Sequence, residues 1–405
     1  LSKSEDGPET DPTLLERARA LLARAPMVDG HNDLAHVIAA DARAKGDIAA
    51  YGLDRVHDEG DTDIPRFREG RVGAQFFAAF QPTAAPHAAR TTLERLDLIR
   101  RLAEVHPGTF ELAREADGVL GAVSRGRIAV LPTVEGGVGL EGSLAPLRIW
   151  RAAGMTLMTL CHNESLEWVD SATDRPRCGG LSRFGVAVVE ELNRLGVIVD
   201  CSHASPAAAR AAIAASRAPI VLSHSNAHAL CAHPRNAPDD LIDAVAAGGG
   251  LVMATFVPHF VSQRSWNWVA PARDPFGKTP HGADERALRA ERERVAGREP
   301  RATLADFCDH VDYLIARAGE DHVGIGSDFF GGPAPQGLGH VGRFPHLFAA
   351  LLARGHSEER LVKIAGGNVL RAMREVAARG AELRVREAPR LGRIEDWDRA
   401  GTAGQ

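Results

Sequence analysis

Eight short apolar runs recur along the chain, and their alternation with helical segments constrains its fold most strongly. The runs cover residues 27–28, 72–80, 128–134, 155–160, 197–199, 220–222, 251–256 and 323–325. Helical periodicity occurs at residues 12–25, 92–105, 144–153, 182–195, 206–215, 239–247, 304–318 and 357–378. Continuous apolar runs are typical of parallel strands buried on both faces. This alternation predicts a single (β/α)8 barrel of the TIM type, with a doubly wound open sheet as the alternative.

The predicted barrel domain covers residues 11–380. We expect residues 1–10 to be a disordered polar leader, and residues 381–405 to form a C-terminal tail without clear periodicity. Two polar segments interrupt the repeat, at 163–180 and at about 264–300, and the second is an insertion rich in Pro, Arg and Glu. Both follow predicted strands, so we expect them to shape or cover a pocket.

Composition excludes several classes of function. The net charge of −5 gives no reason to expect a nucleic-acid partner or an anionic membrane surface. The five cysteines are odd in number and scattered, which favours a reducing compartment over a disulfide framework. No apolar run approaches the roughly 20 residues needed to cross a bilayer, and the first residues lack a signal-peptide core. We therefore expect no membrane span and a cytoplasmic location.

Residues 197–224 read as strand, helix and strand, and both strands end on Ser-His. Ser205 is the predicted N-cap of the intervening helix, with Pro206 at its first position. A parallel pair joined in this way places His203 and His224 side by side at the carboxyl ends of adjacent strands. Barrels and open parallel sheets carry their chemistry at that end.

Other predicted strands also end in groups that bind metals or move protons. These groups are His31 with Asp33, Glu135, His162 and Asp328. The tripeptide His31-Asn32-Asp33 alone is more commonly a turn after a strand, and His203 or His224 alone is more commonly a hydrogen-bonded structural residue. Their convergence at one end of a barrel predicts a metal site instead, because buried charge is costly unless it is paired or coordinated. Imidazole and carboxylate ligands suit zinc.

Three histidines and two carboxylates are more than one tetrahedral ion needs. Two ions bridged by Glu135, which stands alone on the third predicted strand, would use all of them. Such a pair holds a hydroxide at neutral pH and polarises a carbonyl.

The motifs at these positions resemble those of the membrane (renal) dipeptidase family. In chain order they are DGHNDL, VEGG, TLCHN, VDCSH, VLSHSNAHALCAHPRNAPDD, GIGSDF and GGNVLR, and the resemblance runs from about residue 12 to residue 378. It implies an amidohydrolase-type barrel that hydrolyses dipeptides with a free amino terminus and tolerates a D-residue at the second position. It also implies a homodimer.

The resemblance further implies two Zn²⁺ per chain. His31 and Asp33 would bind one ion, and His203 and His224 would bind the other. Glu135 and a water or hydroxide would bridge the two.

Three more residues receive roles from the resemblance. His162 would lie over the scissile carbonyl and stabilise the oxyanion. Arg235, in HPRN, would hold the substrate carboxylate, which suits the planar donor fork of a guanidinium. Asp328 would carry the proton from the nucleophile to the departing amine.

Several positions depart from the family pattern. The departures are Phe330 and His340 in place of acids, Val138 in place of His, Leu166 in place of Asn, and the run 75–80 in place of a Trp- and Tyr-containing segment. They leave the predicted ligands intact, so we expect them to alter substrate preference more than metal binding. Two alternatives remain: a related amidohydrolase acting on another small amide or a lactone, and a catalytically impaired barrel that serves as a binding protein.

Overall fold

The computed structural model describes residues 10–58, 60–84, 86–280 and 283–398, so the predicted leader lies outside them except for Thr10. Nine strands form one sheet in which every pair is parallel. They are β1 (Met27–Asn32), β2 (Val72–Phe80), β3 (Phe110–Leu112), β4 (Ile128–Glu135), β5 (Leu157–Thr159), β6 (Ile198–Asp200), β7 (Ile220–Leu222), β8 (Leu251–Ala254) and β9 (Val323–Ile325).

The α-helices surround this sheet. They are α1 (Pro12–Arg24), α2 (Leu34–Ala40), α3 (Ile48–Tyr51), α4 (Ile64–Glu69), α5 (Ala88–Val105), α6 (Ala116–Ser124), α7 (Ala145–Ala153), α8 (Arg183–Leu195), α9 (Pro206–Ala215), α10 (Asp239–Ala247), α11 (Pro258–Val261), α12 (Gln263–Val269), α13 (Glu285–Ala296), α14 (Leu304–Ala318), α15 (Phe344–Ala353), α16 (Glu358–Val362), α17 (Asn368–Arg386) and α18 (Ile394–Asp398). A π-helical turn at Lys363–Gly367 joins α16 to α17. Among these helices, none is both long enough and apolar enough to cross a membrane.

The strand order confirms the predicted barrel. The strands follow the order β1-β2-β4-β5-β6-β7-β8-β9. The two strands at the ends of this order, β1 and β9, also lie next to each other. There the Asp33 amide donates to the Phe329 carbonyl at 3.0 Å and the Asp328 amide donates to the His31 carbonyl at 3.2 Å. The sheet is therefore a nearly closed (β/α)8 barrel, and the open-sheet alternative is excluded.

One strand was not predicted. β3 pairs with the first residues of β4, at 128–130, while β5 pairs with the last residues of the same edge, at 133–135. The eight-residue strand β4 is long enough to hold two short partners end to end. Because β3 is only three residues long, it left no apolar run in the sequence that separates it from a loop.

The last long helix continues beyond the predicted boundary at residue 380. α17 runs to Arg386, and α18 follows within the predicted tail. Gly380 lies inside α17, where a Cβ would stand only 2.5 Å from the Cα of Gly196 at the end of α8. This glycine allows two backbones to approach closely and does not end a helix.

Local signals formed α9 as expected. The Ser205 hydroxyl accepts a hydrogen bond from the Ala208 amide at 3.1 Å, and Pro206 occupies the first helical position. The strands on either side, β6 and β7, are parallel and buried throughout. The chain segments that follow these two strands therefore emerge next to each other at the same end of the barrel.

Candidate metal centre

The five predicted metal ligands meet at the carboxyl end of the barrel. His31 lies in β1, Asp33 directly after it, and Glu135 at the end of β4. His203 and His224 follow β6 and β7. All five are buried.

The Glu135 carboxylate lies at the middle of this cluster and faces two different sets of groups. Its Oε2 lies 3.4 Å from His31 Nε2. Its Oε1 lies 3.2 Å from His203 Nε2 and 3.6 Å from His224 Nε2. Each carboxylate oxygen thus belongs to its own group of candidate ligands.

Two acidic residues complete the His31 side. His31 Nε2 lies 3.6 Å from Asp33 Oδ2 and 3.9 Å from Asp328 Oδ1. On the other side, His162 joins Glu135 and His203 in a second set whose possible ligand atoms lie within 4.8 Å of one another. Glu135 belongs to this set and also lies beside His31, so the possible ligand atoms form one continuous cluster around it.

A hydrogen-bond relay determines the tautomer of His224. The Ser223 hydroxyl donates to Asp200 Oδ2 at 2.6 Å, because a carboxylate can only accept. Ser223 Oγ must therefore accept from His224 Nδ1, which lies 2.8 Å away. The proton on Nδ1 leaves Nε2 with a lone pair directed at Glu135. Partners of this kind orient the histidine ligands of metal sites.

His203 is oriented in a similar way by Asn163. The side-chain oxygen of Asn163 lies 3.0 Å from His203 Nδ1 and accepts its proton. The lone pair on His203 Nε2 then also points to the centre. His203 holds a left-handed backbone conformation with φ of 69°, a strained arrangement that occurs preferentially at functional sites.

The resulting donor set fits a cation. His203 Nε2 and His224 Nε2 lie 2.9 Å apart, and with both protons on the Nδ1 atoms neither nitrogen can donate to the other. Two lone pairs and a carboxylate oxygen then face one another in a buried space. On the opposite side, His31 Nε2 and Asp33 Oδ1 are buried without a hydrogen-bond partner. Buried atoms of this kind suit the coordination of a metal cation.

Burial and charge shift the protonation of the same groups. Burial lowers the pKa of His203 and of His224 well below the usual range, which keeps both imidazoles neutral. Burial opposes protonation of His31, but the carboxylates of Glu135 and Asp33 raise its pKa well above the usual value. Burial raises the pKa of Asp328 to about 8, and the neighbouring carboxylates add to this shift. Burial opposes the charge on Glu135 as well, but the neighbouring His31 and His203 hold its pKa well below the usual range, so that of these two acids only Asp328 is shifted toward its neutral form.

Close backbone packing brings these strand ends together. A Cβ on Gly30 would stand 2.6 Å from the Ser223 carbonyl oxygen, and one on Gly326 would overlap the same oxygen. Asp29, buried in β1, accepts from the Ser327 amide at 2.7 Å and from its hydroxyl at 2.6 Å. This contact joins the first and last barrel strands just below Asp328.

His162 lies beside the candidate ligands, between His203 and Phe80. Its ring lies 4.3 Å from the His203 ring and 4.6 Å from the Phe80 ring, centroid to centroid. Burial lowers the pKa of His162. Phe80 also contacts His36, at 5.2 Å, so this aromatic residue separates two histidines on one side of the centre.

Arg235 is buried beside the His224 segment. Its Nη2 donates to the His224 carbonyl at 3.3 Å, and its guanidinium lies 5.5 Å from the Phe260 ring centroid. Its Nε is buried and has no hydrogen-bond partner. Burial lowers the pKa of Arg235, an effect opposed by Asp328 and Glu135. A buried guanidinium with donors to spare is well suited to an anionic group of a ligand.

Of the positions that depart from the family pattern, the run 75–80 lies in β2, and the other four lie in turns and loops. Phe330 holds a left-handed conformation with φ of 69°, and its amide donates to Asp61 Oδ2 at 3.1 Å. Val138 lies in the short helical turn after Glu135. Leu166 follows His162, and its amide donates to the Val169 carbonyl. The His340 side chain caps the turn Val341–Arg343 by accepting from the Gly342 amide at 3.2 Å.

Three residues around the centre were not identified from the sequence: Asp200, Ser223 and Asn163. Asp200 and Ser223 lie inside the motifs VDCSH and VLSH, Asp200 three residues before His203 and Ser223 immediately before His224. Their position at strand ends was the available signal, because a buried carboxylate there needs a polar partner. Asn163 ends the motif TLCHN, directly after His162, but its contact with His203 spans 40 positions of sequence and could not be inferred from the motif.

Comparison with known proteins identifies relatives over nearly the whole chain. The model of the family described as "Membrane dipeptidase (Peptidase family M19)" matches residues 15–387. Dipeptidase aclJ of Aspergillus oryzae is 36% identical over 390 residues, which cover 91% of this chain and 84% of that protein. Dipeptidase 3 of Rattus norvegicus is 36% identical over 376 residues, which cover 91% of this chain and 68% of that protein.

Solved structures share the fold. The probable dipeptidase PvdM from Pseudomonas aeruginosa aligns with a TM-score of 0.78 at 26% identity, covering 91% of this chain and 100% of that one. A metallo peptidase from Rhodobacter sphaeroides, solved with a phosphinate mimic of the dipeptide L-Ala-D-Ala, aligns with a TM-score of 0.71 at 24% identity. That alignment covers 87% of this chain and 99% of the other.

Proposed function

This chain belongs to the membrane dipeptidase family, peptidase family M19, and is a metal-dependent hydrolase; from that premise we propose that it is a dipeptidase with two Zn²⁺ ions. The observation that carries the two-ion proposal is the Glu135 carboxylate, whose two oxygens face separate ligand sets. His31 and Asp33 would hold one ion, and His203 and His224 the other. Two ions of this kind supply a water of lowered pKa and polarise the scissile carbonyl.

The chain's own residues would bind the substrate and move the proton. His162, whose ring lies beside the His203 ring, would donate a hydrogen bond to the scissile carbonyl oxygen as negative charge develops there. Asp328 would accept a proton from the nucleophile and deliver it to the departing amine. Asp328 Oδ1 lies 3.9 Å from His31 Nε2, beside the first ligand set, which supports its proposed part in both transfers.

Arg235 would hold the free carboxylate of the dipeptide. Its guanidinium is fixed by the His224 carbonyl and the Phe260 ring, and its unpartnered Nε remains available. A carboxylate gripped there would align the peptide bond with the centre. The dipeptide mimic bound by the Rhodobacter sphaeroides peptidase has a D-residue at its second position, and we propose the same tolerance for this chain.

A turnover screen of L-Xaa-L-Xaa and L-Xaa-D-Xaa dipeptides with zinc-loaded protein tests the proposed activity. We expect hydrolysis of members of both series, and at least a hundredfold loss of kcat in the Asp328→Asn variant because the proton carrier is missing. Turnover of cyclic amides or lactones without turnover of any dipeptide would replace the proposal by the related-amidohydrolase alternative. A zinc-filled protein inactive on all of these substrates would contradict it.

The role of Arg235 has its own test. We expect Arg235→Met to lower kcat/KM for dipeptides about 100-fold, or about 2.7 kcal/mol in transition-state binding. The same variant should hydrolyse dipeptide amides, which lack the carboxylate, as well as the unmodified enzyme does. Arg210→Met is the matched control, because Arg210 is an exposed arginine paired with Asp240. It should leave kcat/KM unchanged for both kinds of substrate. An equal loss on amides and free dipeptides would show that Arg235 does not grip the carboxylate.

A further inference from the structure

The insertion between β8 and β9 places a preformed turn next to the metal centre. We name residues 273–280 the insertion turn. The Asp274 amide donates to the Lys278 carbonyl at 2.9 Å, and Asp274 Oδ1 accepts from the Phe276 and Lys278 amides at 2.9 and 3.0 Å. Arg273 also donates to Thr279 Oγ1 at 2.6 Å. Lys278 is therefore presented from a hydrogen-bonded turn.

One side of the insertion turn packs near Arg235. Gly277 has φ of 84°, and a Cβ there would stand 3.3 Å from the Trp266 ring and 3.4 Å from Pro234. The Trp266 ring in turn lies 4.3 Å from the His233 ring. The turn is thus anchored to the segment that carries the proposed carboxylate grip.

The other side of the insertion turn reaches the loop after β5 through Lys278. Its Nζ donates to the Asn163 carbonyl at 3.3 Å, and it lies 3.8 Å from Glu164 Oε1 and 3.6 Å from Asp174 Oδ1. The Lys278 side chain is only 24% exposed. One ammonium group therefore contacts both ends of the segment 163–174.

The Lys278 contacts lead directly to a candidate metal ligand, because Asn163 is the residue that orients His203. We propose that Lys278 is a positioning residue: it holds the segment 163–174 so that Asn163 keeps His203 Nε2 directed at the centre. The inference rests on the proposed two-ion function, and it adds a residue from the insertion to the support of one ion.

Charge explains why the ammonium group is needed. Glu164 and Asp174 both approach Lys278 Nζ, and other groups hold their remaining oxygens in place. Thr83 Oγ1 donates to Glu164 Oε2 at 2.9 Å, and the Ser165 amide donates to Asp174 Oδ2 at 2.9 Å. Removing the cation leaves two fixed carboxylates without their shared counter-charge. Their repulsion would loosen the segment that carries Asn163.

Two measurements on Lys278→Met test this inference. In metal-free protein, amide hydrogen exchange over residues 163–174 should rise at least tenfold, with exchange elsewhere in the barrel unchanged. In zinc-loaded protein, one of two ions should be lost to a competing chelator at about tenfold lower chelator concentration, the usual size of an effect on the partners of a ligand. Lys278→Arg should restore both, since it keeps the charge.

Arg286→Met is the matched control, because Arg286 is an exposed cation on α13 of the same insertion. It should change neither measurement. Unchanged amide hydrogen exchange over residues 163–174 in Lys278→Met would overturn the inference. An equally easy loss of zinc to the chelator in the Arg286→Met control would also overturn it. If the unmodified chain itself holds fewer than two ions, the proposed function fails, and hydrogen exchange in the metal-free protein still decides the role of Lys278.

Discussion

Single hydrogen bonds determine which ring nitrogen of His203 and of His224 faces the centre. His224 receives its orientation from Ser223, which is held by Asp200, and His203 receives its orientation from Asn163. Thr159 adds a second hydroxyl to Asp200 Oδ2, at 2.6 Å. Asp200 therefore determines the tautomer of His224 indirectly. The Ser223 hydroxyl has one proton, which it donates to Asp200, and so it can only accept from His224.

This relay makes Ser223→Ala an informative substitution. With no hydroxyl to accept from Nδ1, His224 loses the partner that selects its tautomer, and we expect zinc affinity to fall between about 10- and 100-fold. Competition with a chromogenic chelator measures the change. Ser124→Ala, at an exposed hydroxyl on α6, is the control and should leave the affinity unaltered. Affinity in Ser223→Ala equal to that of the unmodified chain would show that the relay does not act on the metal.

At the scale of elements, the signals that were read correctly are local ones. α9 begins at the predicted proline because Ser205 caps it, and the bounds of α10 and α14 also agree with the sequence periodicity. β3 and the part of α17 beyond residue 380 were not predicted, because both depend on contacts with residues distant in the sequence. β3 pairs with the part of the β4 edge that β5 leaves open. Gly380 does not end α17; it is the residue at which the backbone of Gly196 comes close to the helix.

The contact between α17 and α8 leads to a prediction that reverses the ordinary effect of a glycine in a helix. Replacing a helical glycine by alanine usually stabilises a protein by roughly 0.5–1 kcal/mol. At Gly380, however, the added Cβ would meet the Gly196 backbone at 2.5 Å. We therefore expect Gly380→Ala to lower the free energy of unfolding by about 1–3 kcal/mol, measured by urea denaturation.

Gly108→Ala serves as the control for this substitution, since a Cβ there would meet nothing within 4 Å. Its effect should be small. A Gly380→Ala variant as stable as the unmodified chain, or more stable, would mean that the two helices separate easily and that their close approach is not a constraint.

At the scale of the whole molecule, the barrel and its ligand cluster were predictable for the same reason. Parallel strands place their carboxyl ends on one rim of the barrel. Side chains as far apart in the sequence as His31 and Asp328 could therefore be predicted to lie close together without knowledge of any loop. The contacts that cross the rim could not be predicted in this way. Lys278 meets Asn163 across 115 positions of sequence, through a loop whose path depends on packing against Trp266 and Pro234.

Elemental analysis after equilibrium dialysis against zinc is the most direct test of the proposal that Glu135 is shared by two metal ions. Glu135→Gln keeps the size of the side chain but removes the charge that both ligand sets share. We expect two zinc ions per chain in the unmodified protein and at most one in Glu135→Gln, with the circular dichroism spectrum unchanged. One zinc ion or none in the unmodified chain, or two zinc ions retained in Glu135→Gln, would contradict this proposal.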